Sequence, residues 1–223
     1  MNYFRCIGGN GGGGAPLEFT KTSVVDKTQF PNIAFNSDYT NYDLILFVYN
    51  DTQDNRQVEF LATPEMLDEV FNIYGTNFAL FLAREKTESI TYANHYARLS
   101  KTSNSILQEY DHNYLEIVDV YSINCNKTIS KTDIYKKGDR TRLLTPISYN
   151  DLFDFDMIFV LTSDNGFGAV SNQYANLMGG IKSLNSEISF SVAGYQVAPS
   201  QIDISNNSMS DYYYFMVQGI KFT

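Results

Sequence analysis

The sequence is 223 residues long, 43% hydrophobic and 18% charged, with a formal net charge of −9. That length suits one large domain or two small ones, and the apolar share is enough for a packed core. The acidic balance repels phosphate backbones, which argues against nucleic-acid binding, and no stretch reaches the roughly 18 apolar residues of a membrane helix.

The chain opens on Met1-Asn2-Tyr3-Phe4-Arg5-Cys6-Ile7 and then turns to glycine at Gly8, Gly9, Gly11, Gly12, Gly13 and Gly14. This start lacks the apolar segment of a signal peptide, so the expected site of synthesis is a cytoplasm. The glycines read as a flexible linker or as an assembly arm over residues 1–16. No Gly-Lys-Ser/Thr follows them, so they are not a phosphate-cradling loop, and no strand-then-helix context makes them a dinucleotide fingerprint.

Strand patterns dominate the rest, in keeping with 17 Tyr and 16 Phe, which favour half-buried pleated surfaces. Expected strands run over 17–25, 42–49, 57–62, 77–83, 89–98, 105–110 and 114–124. The segment Tyr42 to Tyr49 is almost continuously apolar, as in a strand covered on both faces. One short surface helix is expected after Thr63-Pro64-Glu65, where Thr63 caps, Pro64 takes the first helical position and Gly75 ends it. Met66, Val70 and Ile73 share its apolar face, with Leu67 and Phe71 adjoining.

The polar stretch 126–142 reads as a boundary or long crossover. Further strands are expected over 142–147, 155–162, 167–171, 188–193, 195–198, 201–204 and 212–222, with a loop at 176–184. Tyr42-Asp43-Leu44-Ile45-Leu46-Phe47-Val48 matches Phe155-Asp156-Met157-Ile158-Phe159-Val160-Leu161 in kind at every position. The strand ends 118–125 and 215–222 also correspond, each with a small residue before an isoleucine. Either two tandem sandwich units, 17–136 and 140–223, follow the arm, or one large sandwich uses two similar core strands. The expected fold class is all-β, an antiparallel β-sandwich or jelly roll with one short helix.

Chemistry-bearing residues are sparse. His95 and His112 are the only histidines and Cys6 and Cys125 the only cysteines, too few and too scattered for a zinc site or a nucleophile–base pair. Both thiols read as free. Asp51-Thr52-Gln53-Asp54-Asn55 lacks the spacing of a calcium loop. No metal, no cofactor and no catalytic residue is assigned. Binding chemistry is better supplied: Tyr92 and Tyr96 share one strand face, as do Tyr212 and Tyr214, with Tyr213 on the other. Tyrosine joins a flat apolar ring to a polar tip, which suits sugar stacking and interfaces.

The glycine-rich start, leading into sandwich units that close on a strand such as Val217-Gln218-Gly219-Ile220-Lys221-Phe222, resembles small virion proteins of tailed bacteriophages and prophages, of the head-fibre, tail-fibre or baseplate accessory type. The resemblance implies a structural protein rather than an enzyme. It implies a homotrimer anchored by its N-terminus to other virion proteins and released from the host by lysis. A host-surface glycan is a further implied partner, so a carbohydrate-binding adhesin module is the alternative expectation.

Overall fold

The computed structural model describes residues 17–74, 78–83, 95–136, 155–164, 174–182, 188–192, 195–197 and 212–223. The fold is all-β, with one α-helix among the described residues. Strands β1 (Phe19–Ser23), β3 (Leu44–Asp51), β4 (Arg56–Ala62) and β8 (Leu115–Cys125) form a four-stranded antiparallel sheet in the order β1-β8-β3-β4. A longer sheet contains β2 (Ile33–Ala34), β5 (Phe78–Ala83), β6 (His95–Ser103), β7 (Ile106–Asn113), β9 (Ile129–Lys136), β10 (Met157–Asp164), β11 (Tyr174–Lys182) and β14 (Tyr212–Phe222). Its order is β2-β7-β6-β5-β11-β10-β14-β9, and β12 (Ile188–Val192) and β13 (Tyr195–Val197) branch from β11.

Strand β3 shows why the two sheets pack as a sandwich. Leu44 through Tyr49 are all buried, so both faces of the strand are covered. One face carries Phe47, whose partner Phe60 on β4 meets the Tyr49 ring edge-on at 5.8 Å. On the β1 side of the sheet, Phe19 meets Phe222 of β14 edge-on at 5.3 Å. Leu44, Ile45, Leu46 and Phe47 from the smaller sheet join Ile33, Leu99, Leu107, Met157, Phe159 and Ile220 from the larger in one cluster. Burying each such side chain contributes about 1.5–3 kcal/mol, so these strands drive the fold.

The helix α1 (Pro64–Tyr74) begins where the sequence places it. The Thr63 hydroxyl accepts from the Met66 N–H at 3.3 Å, satisfying one of the orphan donors of the first turn. Met66, Leu67 and Phe71 are buried, so the helix is more deeply packed than the expected surface helix.

Two expectations are corrected. Residues within 126–142, read as a polar crossover, include the strand β9. An edge strand faces water along one side and tolerates Ser130, Thr132 and Asp133 there, so its polarity concealed it. Residues 176–184, read as a loop because of Gly179-Gly180, lie largely in β11. Pairing with β10 along its length overrides the weak strand preference of glycine. The expected strands 142–147, 167–171 and 201–204 lie outside the described residues, as do most of 89–98 and the arm 1–16.

The internal echo reappears as register. Leu44 pairs with Ile123 and Ile45 with Ser122; the corresponding Met157 pairs with Ile220 and Ile158 with Gly219. The ladder slips by one residue between Val48 and Tyr49, and again at the matching place between Leu161 and Thr162. The outer strands agree as well: Lys21 of β1 lies opposite Ile123, and Lys131 of β9 opposite Ile220. Thus β1-β8-β3-β4 and β9-β14-β10-β11 are one four-stranded layer built twice. Strands of both expected units nonetheless share the long sheet. There β9 of the first pairs with β14 of the second, and β5 runs parallel to β11 at Leu80 and Asn176.

Candidate functional site

Strand β8 places Asp119 and Tyr121 two residues apart, hence on one face. Neighbouring β1 sets Ser23 opposite Tyr121, and the 3-10 turn Lys27–Gln29 brings in Lys27. The Asp119 carboxylate is almost fully buried; it accepts from the Ser23 hydroxyl at 2.7 Å and from the Val120 N–H at 2.9 Å. Its second oxygen holds the half-exposed Lys27 ammonium in a close ion pair. Lys21 lies 5.9 Å from the centre of the Tyr121 ring and 3.0 Å from the Glu59 carboxylate.

Burial alone would raise the Asp119 pKa, but hydrogen bonds from Lys27, Ser23, Tyr121 and the Val120 N–H outweigh it and hold the carboxyl below its usual range. The bond to Asp119 raises Lys27, and Tyr121 is raised by its own hydrogen bond to Asp119 and then by burial. Each group is driven further into its neutral-pH state. A carboxylate so stabilised is a weak base, and a lysine or tyrosine so stabilised is a weak acid. The arrangement holds charge and hydroxyl groups in fixed places and is poorly suited to moving protons at neutral pH.

A second group has the same composition. Tyr39, in the 3-10 turn Tyr39–Asn41, donates a short hydrogen bond to Asp68 of α1. Lys101 of β6 reaches Asp68 at 2.8 Å and lies 5.2 Å from the Tyr39 ring centre. Burial first, and then the bond to Asp68, push the Tyr39 phenol far above its ordinary value. A third group joins the repeated layers: Thr63 donates to the Gln218 carbonyl at 2.7 Å, and the Gln218 amide donates to Asp133 at 2.9 Å. Beside it, Lys131 of β9 reaches Glu65 of α1 at 2.8 Å.

The sequence singled out none of these groups as a site, Thr63 entering only as a helix cap, although Asp119 was visible as a charge between Val118 and Val120. Of the expected binding tyrosines, Tyr96 pairs with Leu82 in the β5–β6 ladder. Tyr212, Tyr213 and Tyr214 pair with Asp164, Ser163 and Thr162. They therefore sit on different strands of the long sheet, with β5, β11 and β10 between β6 and β14. Tyr92 and the glycines Gly8, Gly9, Gly11, Gly12, Gly13 and Gly14 lie outside the described residues, as does Cys6; Cys125 is a free thiol.

The Asp51 carboxylate is used inside the β3–β4 turn, accepting from the Asp54 N–H at 3.2 Å and from Arg56 at 3.3 Å. His112 contacts Glu109 at 2.5 Å. Among the described residues, no three His, Cys, Asp or Glu side chains gather as a metal site. No helix there is long and apolar enough to cross a membrane. Compared with known protein families, curated proteins and solved structures, the chain matches none.

Proposed function

We propose that this chain is a structural or accessory protein of a phage virion, a head-fibre, decoration, tail or baseplate component. In this reading it is made in the host cytoplasm and acts by protein–protein assembly, as a homotrimer, rather than by catalysis. The observation that carries the reading is the position of β1. Among the described residues it is the outer strand of the four-stranded sheet, four of its five residues are exposed, and it follows the glycine-rich residues 1–16. A mostly exposed strand at a sheet edge, close behind the glycine run of residues 8–14, is suited to joining another chain.

The test is the solution mass of the full chain and of a version lacking residues 1–16. A trimer that survives truncation assigns assembly to the sandwich, and a trimer lost on truncation assigns it to the arm. A monomer in both, with no affinity for other virion proteins, overturns the proposal.

A second reading, a carbohydrate-binding adhesin module, is favoured by an aromatic side chain at one end of the first layer. Tyr114, between β7 and β8, is 41% exposed although the adjoining Leu115 is fully buried.

A further inference from the structure

Tyr114 has φ = 63°. In that left-handed region an L-residue with a bulky side chain crowds the neighbouring carbonyl, so the conformation belongs to glycine and, less often, to asparagine. Among the described residues, the other non-glycine residue found there is Asn55, φ = 48°, in the turn between β3 and β4, and asparagine tolerates it. Tyrosine does not, and at Tyr114 the surroundings enforce the geometry. Thr52 donates its N–H to the Tyr114 carbonyl at 2.8 Å and its hydroxyl to the same oxygen at 3.3 Å. The turn between β3 and β4 therefore pins the strained residue between β7 and β8.

Strain kept at an exposed position is a mark of function, because a glycine or asparagine would remove it without disturbing the core. Here it sets an aromatic ring at the rim of the sandwich. The adjoining turn exposes Thr52, Gln53 and Asn55, which supply hydroxyl and amide groups, and Glu116 is exposed two residues along β8. A flat ring with a phenolic tip, bordered by hydroxyl, amide and carboxylate groups, matches a saccharide, which offers a face of C–H groups and an edge of hydroxyls.

We infer that Tyr114 and the turn Thr52–Asn55 form a saccharide-binding tip, a site that rests on the carbohydrate-binding reading and gives it a location. The full-length chain is titrated with a defined set of oligosaccharides (glucose, galactose, N-acetylglucosamine and rhamnose series) by saturation-transfer NMR, together with Tyr114→Asn and Tyr114→Phe. The expected result is binding of at least one series by the parent and by Tyr114→Phe. Tyr114→Asn should lose about tenfold or more in affinity, as expected for a central aromatic contact, while melting no lower than the parent. Binding by Tyr114→Asn as tight as by the parent overturns the tip but leaves the carbohydrate reading standing. No binding of any series by the parent overturns both. A clear drop in the melting temperature of Tyr114→Asn would show that the ring is kept for packing, which also overturns the tip.

Discussion

The hydroxyl of Thr63 donates to the side-chain carbonyl of Gln218 at 2.7 Å, across 155 residues of chain, and both side chains are buried. Thr63 caps the helix that follows the first hairpin, while Gln218 lies in β14, an inner strand of the second copy of the layer. Removing either partner leaves the other desolvated without its bond, which costs about 1–3 kcal/mol. We expect Thr63→Val and Gln218→Leu each to lower the unfolding free energy by that amount. The double variant should lose less than the sum, by a coupling of about 0.5–3 kcal/mol. Urea unfolding of the four proteins measures it, and strict additivity would show that the bond couples nothing.

Gly219 has no room for a side chain. A Cβ there would lie 2.4–2.6 Å from carbons of the Phe155 ring, closer than real Cβ atoms approach. Gly219→Ala must therefore displace the ring, at a cost of about 1–3 kcal/mol typical of overpacking. Phe155→Leu in the same chain should recover part of that loss. A Gly219→Ala protein as stable as the parent would mean that the ring turns aside freely.

Asp119 makes acid stability a test of the cluster on β8. Its folded pKa lies below the ordinary 3.8, so the unfolded chain takes up the proton first as pH falls. Its contribution is present at neutral pH and fades from about pH 5 downward through the folded value. Lys27 has the opposite sign: its raised pKa stabilises below 10.5 and the effect is lost above. Asp119→Asn should destabilise at pH 7 by about 1–3 kcal/mol, the cost of breaking hydrogen bonds to a buried charge. The gap to the parent should narrow as urea midpoints are followed from pH 7 towards pH 3. A gap that is constant with pH would remove Asp119 from the acid response.

Tyr39 and Tyr49 should not ionise with the other tyrosines. Burial leads in both cases, reinforced by Asp68 for Tyr39 and by the Glu109 charge for Tyr49, and their phenols are held well above 10.0. In an alkaline absorbance titration, Tyr39→Phe and Tyr49→Phe should show the same phenolate amplitude as the parent until the chain unfolds. Lost amplitude near pH 10 in either variant would place that ring in contact with solvent.

Much of the architecture was legible in local pattern. The apolar run that became β3, the hairpin to β4, the cap at Thr63 and the all-β class depend on residue spacing over a few positions, where side-chain period and backbone geometry are directly linked. The likeness of 42–48 to 155–161 was also in the sequence. It became structural because similar side chains on paired strands favour the same register and the same slip.

What the sequence by itself determined is therefore the strand type, the repeated central strand and the start of the helix, because each follows from the chain's nearest neighbours. Tertiary structure alone decided that β9 and β11 are strands, since pairing partners supplied the hydrogen bonds their own side chains do not advertise. It alone brought Lys27 to Asp119, through the pairing of β1 with β8, and Gln218 to Thr63, through the packing of one sheet on the other. And it alone forced Tyr114 into a backbone conformation that no tyrosine adopts by preference, because the hydrogen bonds from Thr52 come from a different turn.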